Sequence, residues 1–175
     1  MSTYKIDPSH SDITFKVKHL MITNTTGNFS TFDASMQSEK DDFSDATITF
    51  NADTASITTG SEQRDGHLKS NDFFNAEQYP KLSFVSKEFK PLTDGDYKLT
   101  GDLTIRDVTK PIELTVTYNG TVTDPYGQVK SGFEIEGKIN RQEYGLTWSG
   151  VTEAGGLVVS NDVKLHLNVQ MVKQA

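Results

Sequence analysis

From Ser160 to Val172 apolar and polar residues alternate without a break, with Val163, Leu165, Leu167, Val169 and Met171 on one face and Lys164, His166, Asn168 and Gln170 on the other. A period of two belongs to a β-strand with one dry and one wet face. At about 3.3 Å per residue the run spans roughly 43 Å, well beyond the usual ~5–6 residues of a strand. Tilted as barrel strands are, it still covers roughly 30 Å along the axis. A chain containing such a strand must build an elongated sheet and then protect the sheet's edges.

The same alternation recurs along the chain. Ile13, Phe15, Val17 and His19 share one face, opposite Thr14, Lys16 and Lys18. Phe29 and Phe32, three apart after the turn at residues 25–28, predict a strand with a bulge or twist. Ala46, Ile48, Phe50 and Ala52 mark a third strand, and Leu82, Phe84 and Phe89 a fourth beginning after Pro80. Beyond the Asp94-Gly95-Asp96 turn come Tyr97, Leu99, Gly101, Leu103 and Ile105; beyond Pro111 come Ile112, Leu114, Val116 and Tyr118. Phe133, Ile135, Gly137 and Ile139 precede the final run. The pattern predicts an all-β fold of about eight mostly antiparallel strands in one domain over residues 1–175. Closing them into a barrel removes the edges and leaves an interior that either packs shut or holds one slender ligand.

One segment breaks the β pattern. The polar stretch from Arg64 to Pro80, containing Phe73 and Phe74, predicts a short helical insert near residues 61–78 that covers part of the barrel. With Ser61 as N-cap, residues 62–70 make two helical turns, which puts Arg64 and His67 on one face.

Charge and composition narrow the partners. A net charge of -7 argues against nucleic acid, whose recognition needs clustered Lys and Arg. Without cysteines there is neither a disulfide framework nor a thiolate metal site. No apolar run approaches the ~20 residues of a membrane-spanning helix, so stable membrane insertion is not expected. The first residues lack a basic segment followed by an apolar one, from which a cytoplasmic protein is expected, or a periplasmic or extracellular one if the chain is a processed form. The long last strand leaves a homodimer possible in principle.

Several polar residues have two readings. His19 shares an apolar face and could bond a ligand carbonyl or phosphate, or be satisfied by nearby backbone. Arg64, His67 and Lys69 could meet an anionic headgroup; alternatively, Arg64 and Asp65 anchor the insert. Arg141 and Glu143 read as a salt-bridged corner at the rim, Arg106 and Lys110 as solvated residues flanking a turn, with a headgroup contact as the alternative for Lys110, and Trp148 as a core residue or, alternatively, cover for a barrel end. The four histidines, at 10, 19, 67 and 166, lack zinc-ligand spacing, and no nucleophile elbow or nucleotide fingerprint occurs. No metal, cofactor or catalytic residue is therefore assigned.

Four blocks, in order along almost the whole chain, resemble the YceI-like polyisoprenoid-binding family: Asp7 to His19, Gln63 to Phe84, Gly101 to Pro111 and Ile139 to Gly145. The resemblance implies a lipocalin-like, extended antiparallel barrel. It also implies a non-catalytic interior tunnel for a long apolar chain such as a polyisoprenoid, a prenylquinone tail or a fatty amide. Two positions depart from the family pattern: Thr58 stands where Asp is usual, and Asp107 where Gly is favoured. Asp tolerates a left-handed turn, so the second departure keeps its hairpin.

The candidate ligand wall is Phe15 and Val17 with His19, Phe29 and Phe32, Ile48 and Phe50, then Phe73 and Phe74, Phe84, Leu103, Leu114, and finally Phe133 and Ile135. Two other outcomes are kept. One is an enzyme acting on a lipid or small molecule at the rim through His67 or His19; the other is a barrel filled by its own side chains.

Overall fold

Alternating sequence becomes one antiparallel sheet in the computed structural model, which describes residues 2–149 and 158–175. The first half holds β1 (Ser2–Ile6), β2 (Asp12–His19), β3 (Thr23–Phe29), β4 (Phe32–Ser38), β5 (Thr47–Asp53), β6 (Ile57–Thr58) and the helix α1 (Glu62–Lys69). The second half holds β7 (Lys81–Pro91), β8 (Asp96–Ile105), β9 (Val108–Thr123), β10 (Val129–Asn140) and β11 (Asp162–Lys173).

These strands occupy eight positions of a closed barrel, because the first three positions are each split in two. β1 and β2 lie along the same edge of β11, Tyr4–Ile6 against Met171–Lys173 and Asp12–Lys16 against Lys164–Asn168. β1 pairs with β4 and β2 with β3, and β4 and β3 pair in turn with β5 and β6. The β1–β11 ladder closes the ring.

The split between β3 and β4 revises one expectation. Phe29 and Phe32 do not share a bulged strand; Phe29 ends β3, Phe32 starts β4, and the chain breaks at Ser30 and Thr31. The insert carries the expected short helix, which ends one residue before the predicted bound at 70. Ser61 Oγ caps α1 by accepting from the Arg64 N–H at 3.3 Å, and the helix ends at Lys69, where Ser70 Oγ donates to the His67 carbonyl at 2.6 Å. Residues 71–74 and 76–78 are turns, with the Phe74 N–H donating to the Leu68 carbonyl at 3.0 Å.

The two ends of the barrel differ. At the lower end, where β1 begins and β11 finishes, Phe43 reaches in from the β4–β5 connection and is 3% exposed. Its ring meets Tyr4, Phe133 and Tyr118 edge-on, with centroids 5.7, 5.6 and 5.5 Å away. Tyr118 and Phe133 also meet each other, with centroids 5.4 Å apart, so the four rings form one cluster. The upper end is rimmed by the β2–β3 hairpin, the β8–β9 turn, the end of β10 and the insert, which lies between β6 and β7.

Candidate functional site

Between these ends lies a cavity of about 410 Å³, within the ~300–1,000 Å³ typical of small-molecule sites. Its wall follows from strand pleating, which points alternate residues inward. Phe15 and Val17 of β2, Phe29 of β3, Ile48 and Phe50 of β5, and Phe84 of β7 line it. Leu103, Leu114, Phe133 and Ile135 continue the wall through β8 to β10, and Phe73 and Phe74 cover it from the insert. His19, Arg64 and His67 stand at its upper end.

Two candidates fall outside the lining. Phe32, beside the break and in register with Ala52, packs on the core without facing the void. Lys69 lies two residues past His67, and at ~100° per residue the helix turns it to another side.

Inward glycines help keep the space open. At Gly27, in register with Phe15, a Cβ would overlap the Phe15 ring; at Gly137 it would overlap Leu114. The absent side chains let Phe15 and Leu114 lie against the wall instead of projecting across the interior.

Polar groups gather at the mouth. His67 Nε2 and Asp72 Oδ2 are 2.9 Å apart, and the imidazole stands edge-on to Phe73 and Trp148, with centroids 5.1 and 5.0 Å away. Arg64 is committed to anchoring: its Nε and Nη2 donate to Thr59 Oγ1 and the Thr59 carbonyl at 2.6 and 2.7 Å. Asp65 accepts from the Thr59 N–H and hydroxyl at 2.8 and 2.6 Å, so the anchoring alternative describes both residues.

Two arginines depart from expectation. Arg141 makes no salt-bridged corner among the described residues; it is 3% exposed and donates to four carbonyls. Nε reaches Ser160 at 2.9 Å, Nη1 reaches Leu146 and Trp148 at 2.7 Å each, and Nη2 reaches Val159 at 3.3 Å. Burial lowers its pKa, and its guanidinium lines the cavity near Phe73. Burial likewise pushes the neighbouring Tyr144 hydroxyl up to about 12, with the Glu143 charge adding to the effect. Arg106, half-buried, is not simply solvated either. Its Nη1 donates to the carbonyls of Asn71, Phe73 and Gly145 at 2.9, 2.9 and 3.1 Å, tying the insert to the rim. Arg106 and Asp107 both adopt positive φ, 52° and 60°, in the turn that Asp was expected to tolerate.

The histidine–carboxylate grouping with metal-ligand proximity among the described residues is away from the cavity lining. His166 Nε2 lies 2.8 Å from Glu134 Oε1 and 4.0 Å from Glu136 Oε1, joining β11 and β10. His10 pairs with Asp7 at 2.9 Å. No helix among the described residues is long and apolar enough to cross a membrane.

The family model described as the YceI-like domain matches residues 4–171. A UPF0312 protein of Staphylococcus epidermidis is 36% identical over 171 residues, 97% of each chain. The crystal structure of the YceI protein of Campylobacter jejuni superposes with a TM-score of 0.76 at 31% identity, covering 90% of both chains. A polyisoprenoid binding domain from Saccharophagus degradans shares the fold at a TM-score of 0.67 and 14% identity, covering 98% of both chains.

Proposed function

Because the chain belongs to the YceI-like domain family, we propose that it binds a long-chain apolar lipid in the barrel interior, sequestering or carrying it without chemical change. The observation that carries this reading is the predominantly apolar wall around the 410 Å³ cavity, whose lining also includes Lys18 and His19. So apolar a wall offers a polar guest little to offset its desolvation away from the few polar groups in the lining, among them His19, Arg64, His67 and Arg141. For a hydrocarbon, each buried carbon contributes about 0.8 kcal/mol, so one isoprene unit supplies roughly 3 to 4 kcal/mol before ordering and association costs. Affinity then depends on the tail more than on the headgroup. The family resemblance makes a polyisoprenoid the first candidate, followed by a prenylquinone or fatty amide.

The test is to extract the purified protein with organic solvent and analyse the extract by mass spectrometry. A stoichiometric long-chain lipid is expected. An empty protein that also fails to take up a long-chain prenol from detergent would overturn the reading. Ala34→Phe, which adds a ring to the lining at a buried position, should cut prenol uptake while the protein stays folded.

The His67–Asp72 pair favours a second reading, an enzyme acting at the rim. It requires that His67→Ala remove turnover while leaving lipid uptake, and an absence of turnover over a panel of lipids ends it.

A further inference from the structure

The β2–β3 hairpin stands at the cavity mouth. His19 pairs with Thr23, and the three residues between them, Leu20, Met21 and Ile22, are 40%, 49% and 79% exposed. Leu20 and Met21 both have positive φ, 53° and 61°. Such turn positions favour Asn, Asp and Gly, because a Cβ crowds the backbone there. The β8–β9 turn in the same conformation uses Arg106 and Asp107, and Gly95 and Gly120 occupy two further positive-φ positions. At residues 20–22, turn chemistry and solvation both argue against apolar side chains, yet all three are apolar.

Cationic side chains stand behind the tip. Lys16 and Lys18 point to solvent from β2, and Lys164 of β11 lies in register with Lys16 and is exposed. Among the described residues, none of these three lysines forms a salt bridge with a carboxylate, a property they share with Lys90 and Lys110 but not with Lys81, Lys87, Lys98, Lys130 and Lys138. A chain of net charge -7 thus places unpaired cations directly behind an apolar tip. Apolar side chains that can enter an acyl boundary, backed by Lys at headgroup depth, are the features that hold a protein on an anionic bilayer.

We propose that the β2–β3 hairpin is a membrane-docking element that seats the cavity mouth on an anionic phospholipid surface. The proposal rests on the lipid-binding reading above and says where the guest enters and leaves. Lys18 and His19 belong both to the hairpin and to the cavity lining, so a docked barrel presents its interior to the bilayer. A long apolar tail then slides between membrane and cavity without crossing water.

The test is co-sedimentation of the full chain with vesicles of phosphatidylcholine alone and of phosphatidylcholine mixed with phosphatidylglycerol. Wild type should bind the mixed vesicles more strongly, and added salt should release it. Ile22→Asp should lower the partition coefficient by about tenfold or more without lowering the thermal midpoint. Lys16→Gln with Lys164→Gln should remove the preference for the anionic vesicles. Wild type that sediments with neither vesicle, or Ile22→Asp that sediments like wild type, overturns the proposal. A wild-type dimer that Ile22→Asp dissociates, without vesicle binding, also overturns it and assigns the tip to a second copy. Solvent extraction separates the two readings. Ile22→Asp protein should retain wild-type lipid, whereas wild type that binds vesicles but contains no lipid and takes up no prenol refutes the cavity reading alone.

Discussion

The two ends of this barrel are built from similar aromatic residues used in opposite ways. At the lower end Phe43, Tyr4, Tyr118 and Phe133 pack ring against ring, and the Tyr97 hydroxyl fixes the covering loop by donating to the Asp42 carbonyl at 2.5 Å. At the upper end Phe29, Phe74, Phe73 and Trp148 also touch, with centroid distances of 5.8 Å for Phe29–Phe74 and 5.7 Å for Phe73–Trp148. There, however, all four rings border the void, whereas at the lower end Phe133 does and Tyr4, Phe43 and Tyr118 do not. Rings surrounded by protein specify the fold; rings bordering empty space leave room for a guest. The void runs from the upper rings down to Met36, Phe133 and Met171, above the Tyr4 and Tyr118 rings that pack on Phe43.

The sharpest way to break this comparison is to truncate one ring at each end. Phe43→Ala opens a hole among rings that have no other filling, and should cost about 3–5 kcal/mol in denaturant unfolding. Phe74→Ala enlarges a space that already exists and should cost about 1 kcal/mol, while speeding release of bound lipid. Equal costs, or the reverse order, would mean that the upper aromatics are core and not cover.

Next in size is Arg141, which holds the upper end through carbonyls instead of hydrocarbon packing. Arg141→Met keeps much of the side chain's bulk but leaves the carbonyls of Ser160, Leu146, Trp148 and Val159 without this donor, and about 3 kcal/mol of destabilisation is expected. Arg141→Lys should recover only part of it, because an ammonium cannot reproduce a planar fork spread over four acceptors. Near-ultraviolet circular dichroism of Trp148 should report the loosening. Full rescue by Lys would show that charge alone, not directional bonding, orders the rim.

These contrasts also show what could be read in advance. Wherever strand pleating sets the answer, as along Phe15–Val17, Leu103–Ile105 and Leu165–Leu167, alternation alone identifies the barrel wall and most of the cavity lining. It fails where geometry is not periodic. β1 has five residues and β6 only two, too short for a pattern to stand out, yet β1 closes the ring. Phe43 sits alone in the acidic stretch Lys40-Asp-Asp-Phe-Ser-Asp45, and nothing local shows that it plugs the far end. Arg141 and Arg106 both look like rim residues in sequence. Their carbonyl partners lie up to 19 and 39 residues away, so only the tertiary structure brings them together.

The smallest expected effect concerns the split between β1 and β2, where Asp7 stiffens the chain. Its carboxylate lies 2.9 Å from His10 Nδ1, accepts from the Ser9 hydroxyl and N–H at 2.8 and 3.1 Å, and meets Lys130 Nζ at 3.3 Å. Those interactions, the His10 hydrogen bond foremost, hold its pKa well below the usual carboxylate range. A carboxyl that is more acidic when folded stabilises the protein above its unfolded pKa, about 3.9, and that contribution disappears as the pH falls through the lower folded value. Asp7→Asn should therefore cost about 1 kcal/mol at neutral pH, and the gap from wild type should shrink below about pH 4. Parallel denaturant curves at neutral and acid pH measure both numbers. A gap that stays constant with pH would mean that Asp7 acts through turn geometry, which Asn reproduces in part, and that its charge contributes nothing to joining β1 to β2.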